Sequence, residues 1–453
     1  MIYRRSTRPG RRLQAAHSGL VALAAAWALA AAPAPVQTTG AQSPLTFTDA
    51  VTRALAHSTE HKRAALAMHQ AQLDRQIVSY GNDLTATTAA SWSAHRPDGG
   101  TSISSSKDQS YGITLSKPLY DFGRQSASEA QADSQVRIQS LTTAQVDDTL
   151  YWQVAHSYAE VLGAARAADV AERQVEVAEA KLKEFKRTYG QGLQSKSAVV
   201  SAEIDAGRAH IAAQTTADAL LQTKLDLALL VEDNTAAAHS LADTMVLPPT
   251  GLAAPTPEKA RKILEGWTEH LQPTPATQIL EEQKAALAYE RDAVAAAKRP
   301  VISGQLSFTE SGAWDDLKPL GIAGLGISWD IPWNGQSNDQ YEKIGLKAQD
   351  IVLATRADEK TRGVAEAAAK RRLQAAASEY RLDNAQLVLL KRQEKLVLES
   401  YRLGNATALE VSTAESDVLS LELDKIRLAN SLDTALIDIA QARGNKNITA
   451  LLP

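Results

Sequence analysis

The chain has no cysteine, which excludes disulfides, thiolate metal centres, cysteine nucleophiles and a lipid-anchored N-terminal cysteine. Aromatic residues are scarce too, at 5% of 453 positions, whereas hydrophobic residues reach 44% with alanine supplying much of that share. Large compact cores filled with Phe, Ile and Trp are therefore not expected; alanine-rich apolar stripes suit closely packed helices. Beyond residue 32 no segment approaches the roughly 18 to 20 apolar residues that span a bilayer as a helix. A mature chain that crosses a membrane must then do so with strands. Proline is missing from 119 to 247 and from 333 to 452. Because a proline inside a helix costs about 3 kcal/mol, both stretches are free to form long helices.

The one long apolar run, GLVALAAAWALAA at 19–31, follows Arg4, Arg5, Arg8, Arg11 and Arg12 and precedes small residues and prolines. That is the layout of an export signal, and Thr39-Gly40-Ala41 fits the small-x-small cleavage pattern, so residues 1–41 are expected to be a signal peptide. Removing them takes five arginines and no acids from a formal charge of −4, leaving −9. So acidic a chain is a poor binder of nucleic acid.

What remains is a duplication. LSKPLYDFGRQ at 115–125 has a twin, ISWDIPWNGQ at 327–336. At a constant offset of 212, Gly112 meets Gly324, Gly123 meets Gly335, Tyr189 meets Tyr401, Gly192 meets Gly404, Glu203 meets Glu415 and Asp205 meets Asp417. Two copies of one unit follow. The first, within 42–231, reads as a helix at 47–80, strands at 84–95 and 110–120, a long helix to 189 and a return helix at 196–231. The second, 276–443, repeats that order with a helix at 276–299, strands at 301–310 and 321–331, a long helix to 402 and a return helix at 408–443. A proline-rich connector at 232–275 joins them, and 444–453 is a tail.

Each long helix would extend about 98 Å, too long for a globular domain, and the return helix from 196 (about 54 Å) and the helix from 276 (about 36 Å), stacked end to end, roughly match it. This is the arithmetic of a tall cylinder. The strands alternate weakly between small or polar and more apolar residues, as when one face meets lipid and the other water. Trp92, Trp314, Trp329 and Trp333, four of the seven tryptophans, fall in or beside these strands; they read as a membrane-interface girdle or as ordinary packing. Four strands cannot close a barrel, and open edges are forbidden in lipid. Three copies would supply twelve strands and a pore.

The repeated strand pair with its Pro and Gly turn (KPLYDFGRQ, DIPWNGQ), the long helix, and the hairpins YGQGLQSKSAVVSAEID and YRLGNATALEVSTAESD resemble the TolC-type outer-membrane efflux proteins over nearly the whole mature chain. The resemblance implies a homotrimer in outer-membrane lipid. The fold would be mainly α with a membrane β-barrel portion: a twelve-stranded β-barrel continued by a periplasmic α-helical barrel. Such channels are passive exit ducts for efflux or type I secretion, coupled to an inner-membrane transporter through a periplasmic adaptor (membrane fusion) protein, with no cofactor, no metal and no nucleic acid. Pro118, Gly123, Pro332 and Gly335 would form the turns between barrel and tunnel. The loops at 96–109 and 311–320 are short, offering little at the cell surface.

The helix turns at 189–197 and 401–409 would form the periplasmic tip. Gly192 and Gly404 suit the positive φ that ends a helix, and Ser195 or Ser197 and Thr407 can cap the next one. These are good turn residues in any case; the resemblance adds that adaptors dock there, against Gly192, Leu193, Ser195, Gly404, Asn405 and Thr407. Glu410 matches a position where the resemblance places a carboxylate at the tunnel aperture, yet Thr407-Ala-Leu-Glu410 is also a capping box. Both readings stay open. The resemblance implies that Tyr401 helps to tie the tip shut, although the position of its partner on the first hairpin is Ala198, whose side chain accepts no hydrogen bond. Glu203, Asp205, Glu415 and Asp417 read as solvated helix surface, with tunnel lining the alternative.

HSTEH at 57–61 matches an inverted zinc-protease pattern, two histidines one helical turn apart with a glutamate between. No further ligand is evident, and no nucleophile elbow or phosphate-binding glycine loop occurs elsewhere. An enzyme is not expected. The remaining alternative is a periplasmic adaptor or coiled-coil scaffold, which would carry one helical hairpin between small β domains rather than two at a constant offset.

Overall fold

The computed structural model describes residues 45–95, 106–231, 258, 262, 273–313, 316–329 and 335–446. The signal peptide, nearly all of the connector, the end of the tail, and Trp314, Pro332 and Trp333 lie outside the described residues.

Helix α1 (Phe47–His57) starts at Thr46, whose hydroxyl accepts the Asp49 N–H at 3.2 Å, and ends at Ser58, which has left the helical region at φ −52°, ψ 123°. Ser58 then caps α2 (Thr59–Ser79) by accepting the His61 N–H at 3.2 Å. The single helix expected over 47–80 is thus two, because a serine hydroxyl in an N-cap stabilises a new start by about 1 kcal/mol. A 3₁₀ turn, Tyr80–Asn82, leads into β1 (Thr85–His95), which pairs with β2 (Ser106–Tyr120).

Helix α3 (Arg124–Gly190) and its return α4 (Lys196–Val231) run 67 and 36 residues. After the connector come α5 (Pro275–Ala297), β3 (Val301–Ala313), β4 (Asp316–Ser328), α6 (Gln336–Arg402) and α7 (Ala408–Arg443), the last two again 67 and 36 residues. Arg124 to Gln336 and Lys196 to Ala408 are both 212 positions, so the duplication read from the sequence is a duplication of structure.

The strands form one antiparallel sheet in the order β1-β2-β3-β4. Both hairpins are longer than expected: pairing extends to His95 opposite Ser106 and to Ala313 opposite Asp316, so most of 311–320 is strand rather than loop. Glycine, serine and proline in these segments read as turn chemistry, but ladder pairing overrides that local preference. Pro319 is tolerated because β4 is an edge strand, and Pro118, in the central β2, coincides with a register shift between Pro118 and Tyr120. Pro118 therefore marks a bulge in the strand and not the turn itself.

Helix α3 is the spine: α2, α4, α5 and α7 pack along it, and α6 packs on α5 and α7. The main core lies midway along it, where Phe47, Val154, Tyr158, Val161, Leu227, Val231, Leu432, Leu436 and Leu373 from α1, α3, α4, α7 and α6 exclude water. Toward the α3–α4 turn only small clusters remain, such as Ala178 with Ala206 and Ala209. That is the close helix packing that a chain rich in alanine and poor in aromatics allows.

Candidate functional site

The register of the sheet sorts its side chains, because direct partners in an antiparallel ladder share a face. One face collects Trp92, Tyr111, Ile113, Leu115, Leu306, Phe308, Leu325 and Ile327, with Glu310 opposite Tyr111 and Lys117 near the helix end among its charged members. The other collects Thr85, Thr87, Ser91, Ser110, Thr114, Ser116, Gln305, Ser307, Thr309 and Ser311. Hydroxyls on this second face bond one another across strands: Thr85 with Ser116 at 2.8 Å, Ser91 with Ser110 at 2.7 Å and Thr114 with Ser307 at 3.1 Å. An apolar face opposite a hydroxyl face is what a barrel wall between lipid and water requires. Trp92 is exposed on the apolar face, and Trp329, just past β4, is exposed while its Nε1–H donates to the Lys298 carbonyl at 2.9 Å. An exposed ring with a satisfied N–H suits an interface position.

Where strand gives way to helix, Phe122 and Gly123 take positive φ (53° and 90°) and Gly335 does the same at 74°. Asp121 holds the first turn: its carboxylate accepts the Gly123 N–H at 3.1 Å and the Gln125 N–H at 2.7 Å. Gly123 and Gly335 stand immediately before their helices, and Asp121 was not singled out from the sequence, although an aspartate two residues before a helix-leading glycine is a capping signal.

At the far end both hairpins turn through the same motif. Gly192 N–H bonds the Tyr189 carbonyl and Leu193 N–H the Thr188 carbonyl; Gly404 and Asn405 do likewise with Tyr401 and Ser400. These are Schellman caps, with φ of 73° at Gly192 and 79° at Gly404. Ser195 rather than Ser197 caps α4, accepting the Ala198 N–H at 3.2 Å, and Ser197 bonds Ser195. Thr407 and Glu410 form the capping box: Thr407 N–H donates to the Glu410 carboxylate at 2.6 Å and Glu410 N–H to the Thr407 hydroxyl at 3.2 Å. The capping half of the double reading of Glu410 is thus present, and its carboxylate also lines a cleft with Leu396, Val397, Asn405, Leu409 and Asp417.

The two hairpins are joined near this tip. Tyr401 stacks on Phe185 at 5.5 Å between ring centroids, and its hydroxyl accepts a hydrogen bond from Gln194. Ala198 packs beneath with Phe185 and Ala202. The hydroxyl of Tyr401 thus meets Gln194 of the first hairpin and not position 198. Further along, Lys181 of α3 reaches Asp205 of α4 at 3.5 Å and Glu415 of α7 at 2.6 Å, and Ser412 donates to Asp205 at 2.6 Å. With side chains 10%, 18% and 14% exposed, Lys181, Asp205 and Glu415 are not the solvated surface expected of the repeated acids. Glu203 fits that description, pairing with Lys186 in the open. Beside this cluster the Glu394 carboxyl is pushed up, first by burial and then by the charge of Glu415.

The two histidines of HSTEH do not share one helix. Ser58 breaks the helix between His57 and His61, and His61 pairs with Asp147 of α3. Among the described residues no group of three or more His, Cys, Asp or Glu is placed to hold a metal ion, and no helix among them is long and apolar enough to cross a membrane.

A sheet with one lipid-suited and one hydroxyl face, continued by 67-residue helices, defines a wall segment of a membrane channel. The comparisons agree. Residues 52–231 match the family model described as outer membrane efflux protein. The structure is similar to that of CusC (TM-score 0.71, 16% identity, 92% of this chain and 98% of that one). It is similar also to the outer membrane protein VceC of Vibrio cholerae (0.69, 16%, 88% and 96%) and to the CmeC outer membrane channel of Campylobacter jejuni (0.68, 15%, 91% and 90%). No curated protein matches the chain. The family model covers the first repeat of this chain, and the fold of these channels runs through both repeats.

Proposed function

We propose that three copies of this chain close a twelve-stranded barrel and the helical tunnel beneath it, and that the trimer serves as the exit duct of a tripartite system. The single observation that carries this reading is a pair of matched apolar seams left open on opposite flanks. On α6 Leu346 and Leu353, then Leu382, Leu389 and Leu396, and Leu403 just past its end, stand exposed at intervals of seven residues within each group. On the other flank, Leu66, Leu73 and Tyr80 at and just beyond α2, and Val200, Ile204 and Ile211 on α4, are exposed as well.

Their heights correspond. Ion pairs Arg75–Asp133 and His61–Asp147 fix α2 along α3, and Lys186–Glu203 and His210–Glu179 fix α4. Carried across the offset of 212, these anchors bring Leu73 and Leu66 level with Leu346 and Leu353, and Ile204 and Ile211 level with Leu396 and Leu389, to within about one residue rise of 1.5 Å. A seven-residue apolar period is what side-by-side helices need. Two different complementary flanks on one chain make a head-to-tail contact, which closes into a ring. Strands β1 and β4 have unpaired outer edges that the same ring would close.

The tip, with its exposed Leu193, Leu403 and Leu409, is the surface for a periplasmic adaptor that links the duct to an inner-membrane transporter. Gly192, Leu193, Ser195, Gly404, Asn405 and Thr407 form that docking surface, and Tyr401 and Glu410 stand at the aperture. The test is photocrosslinking from Leu193 and Asn405 in the native envelope, with the captured chains identified. An adaptor captured from both positions supports the docking; a covalent species with no adaptor, or the same capture from Glu160 in mid-helix, counts against it.

A further inference from the structure

The hydroxyl face of the sheet is interrupted at one place. Along β4 the apolar residues change sides at Gly324: Leu325 and Ile327 lie on the lipid-suited face, but Leu320 and Ile322 lie on the hydroxyl face, opposite Thr309 and Ser307 of β3. The register is continuous through this stretch, so the change is in the sequence and not in the backbone. Each is 56% exposed. The row through Ile322 runs Thr87, Thr114, Ser307, Ile322, and the row through Leu320 runs Ala89, Gly112, Thr309, Leu320. Leu320 is therefore the longest side chain of a row that otherwise holds only alanine, glycine and threonine. A side chain added at Gly112 would meet the Phe308 carbonyl oxygen at 2.7 Å and Thr309 at 2.8 Å, so that row stays bare beside it.

We propose that Leu320 and Ile322 form an apolar contact patch inside the duct that binds the alkyl or aryl part of amphipathic, lipophilic cargo in transit. This rests on the trimeric barrel proposed above. Three-fold symmetry puts three copies of each residue at one height whatever the tilt of the strands. The rows that hold Leu320 and Ile322 carry no charged residue, the charges of that face (Lys318, Asp108 and Asp316) lying nearer the hairpin ends, and several of its hydroxyls already bond one another, so solutes meet few free polar partners at this height. A conduit must bind weakly enough to release, and a few aliphatic side chains in a wide, wet lumen meet that requirement. Lipid cannot reach the hydroxyl face of a closed barrel, so what the patch meets is water and cargo.

The test uses tetraalkylammonium ions, from tetraethyl to tetrapentyl, added from the outer side in single-channel bilayer recordings of the purified protein. Block is expected to strengthen with chain length in the natural protein. In L320T/I322T, which keeps strand propensity with threonines, the affinity for tetrapentylammonium is expected to fall about tenfold, as loss of roughly 50 Å² of apolar contact implies, and the dependence on chain length to flatten. Each single threonine variant should give a smaller loss in the same direction. Equal block of the natural and doubly substituted proteins would overturn the proposal. Because the chain has no cysteine, L320C, I322C, L325C and I327C separate this outcome from failure of the barrel itself. A charged, membrane-impermeant thiol reagent should modify the first two and not the last two; the reverse pattern would mean that the sheet faces lipid the other way.

Discussion

Replacing Lys181 by methionine removes a cation shared by two acids on different hairpins while keeping most of the side-chain volume. In the native chain Lys181 lies between Asp205 and Glu415, all three at most 18% exposed. Deleting one partner of a buried ion pair typically costs about 3–5 kcal/mol because the other charge is left desolvated; with water still reaching these side chains, about 2–3 kcal/mol is expected. The loss falls on the contact between hairpins rather than on the mid-length core, so it is best read as local opening. By hydrogen exchange, amides near 198–209 and 411–421 should exchange about 30 to 150 times faster, with those around Tyr158 unchanged. The triple variant K181M/D205N/E415Q removes the stranded charges and should recover most of the protection, since neutral replacement of a buried pair is often well tolerated. Unchanged exchange in K181M, or no recovery in the triple variant, would refute the reasoning.

Other outcomes follow from the same geometry. Gly404→Ala and Gly192→Ala force a Cβ into φ of 79° and 73° and should each cost about 1 kcal/mol, read as faster protease cleavage at the altered turn alone. Tyr401→Phe deletes the hydroxyl that Gln194 reaches while keeping the stack on Phe185; a loss of about 1 kcal/mol in local protection at 194–200 is expected, and none if the ring alone holds the tip. Glu394 is held above its ordinary value by burial and by Glu415, so its contribution to the folded tip is fully present below the unfolded glutamate value and is lost as pH rises through the raised one. The tip should therefore be better protected at mildly acidic than at neutral pH, and E394Q should flatten that dependence and protect the tip more at neutral pH.

Much of this architecture was legible in the sequence because duplication and proline avoidance leave direct traces. The bounds of α4 and α7 follow from Gly192, Ser195, Gly404 and Thr407, whose chemistry ends and starts helices without help from the rest of the fold. The break at Ser58 carried the same kind of signal, a serine ahead of Thr59-Glu60, but was masked by helix-forming residues on both sides. The hairpins ran past their expected ends because Ser311, Gly312 and Pro319 look like loop residues until a paired strand claims them. The Lys181 cluster was not legible at all: the acids recur at the offset of 212, but position 393 is glutamine, so the lysine leaves no trace in the repeat. Which helices an ion pair joins depends on their relative heights, which only packing fixes. The change of side at Leu320 and Ile322 was hidden for a similar reason, since weak alternation acquires a face only when the register of β3 against β4 is known.

The most direct measurement places one cysteine on each open seam of this cysteine-free chain, I211C with L389C, and follows disulfide formation in outer-membrane fractions under mild oxidant. Bonds between different chains, accumulating as a covalent three-chain ring and missing from either single variant, are the expected result. Bonds formed only within one chain, or a product of two chains that never extends to three, would contradict the claim that each chain supplies one third of a closed wall.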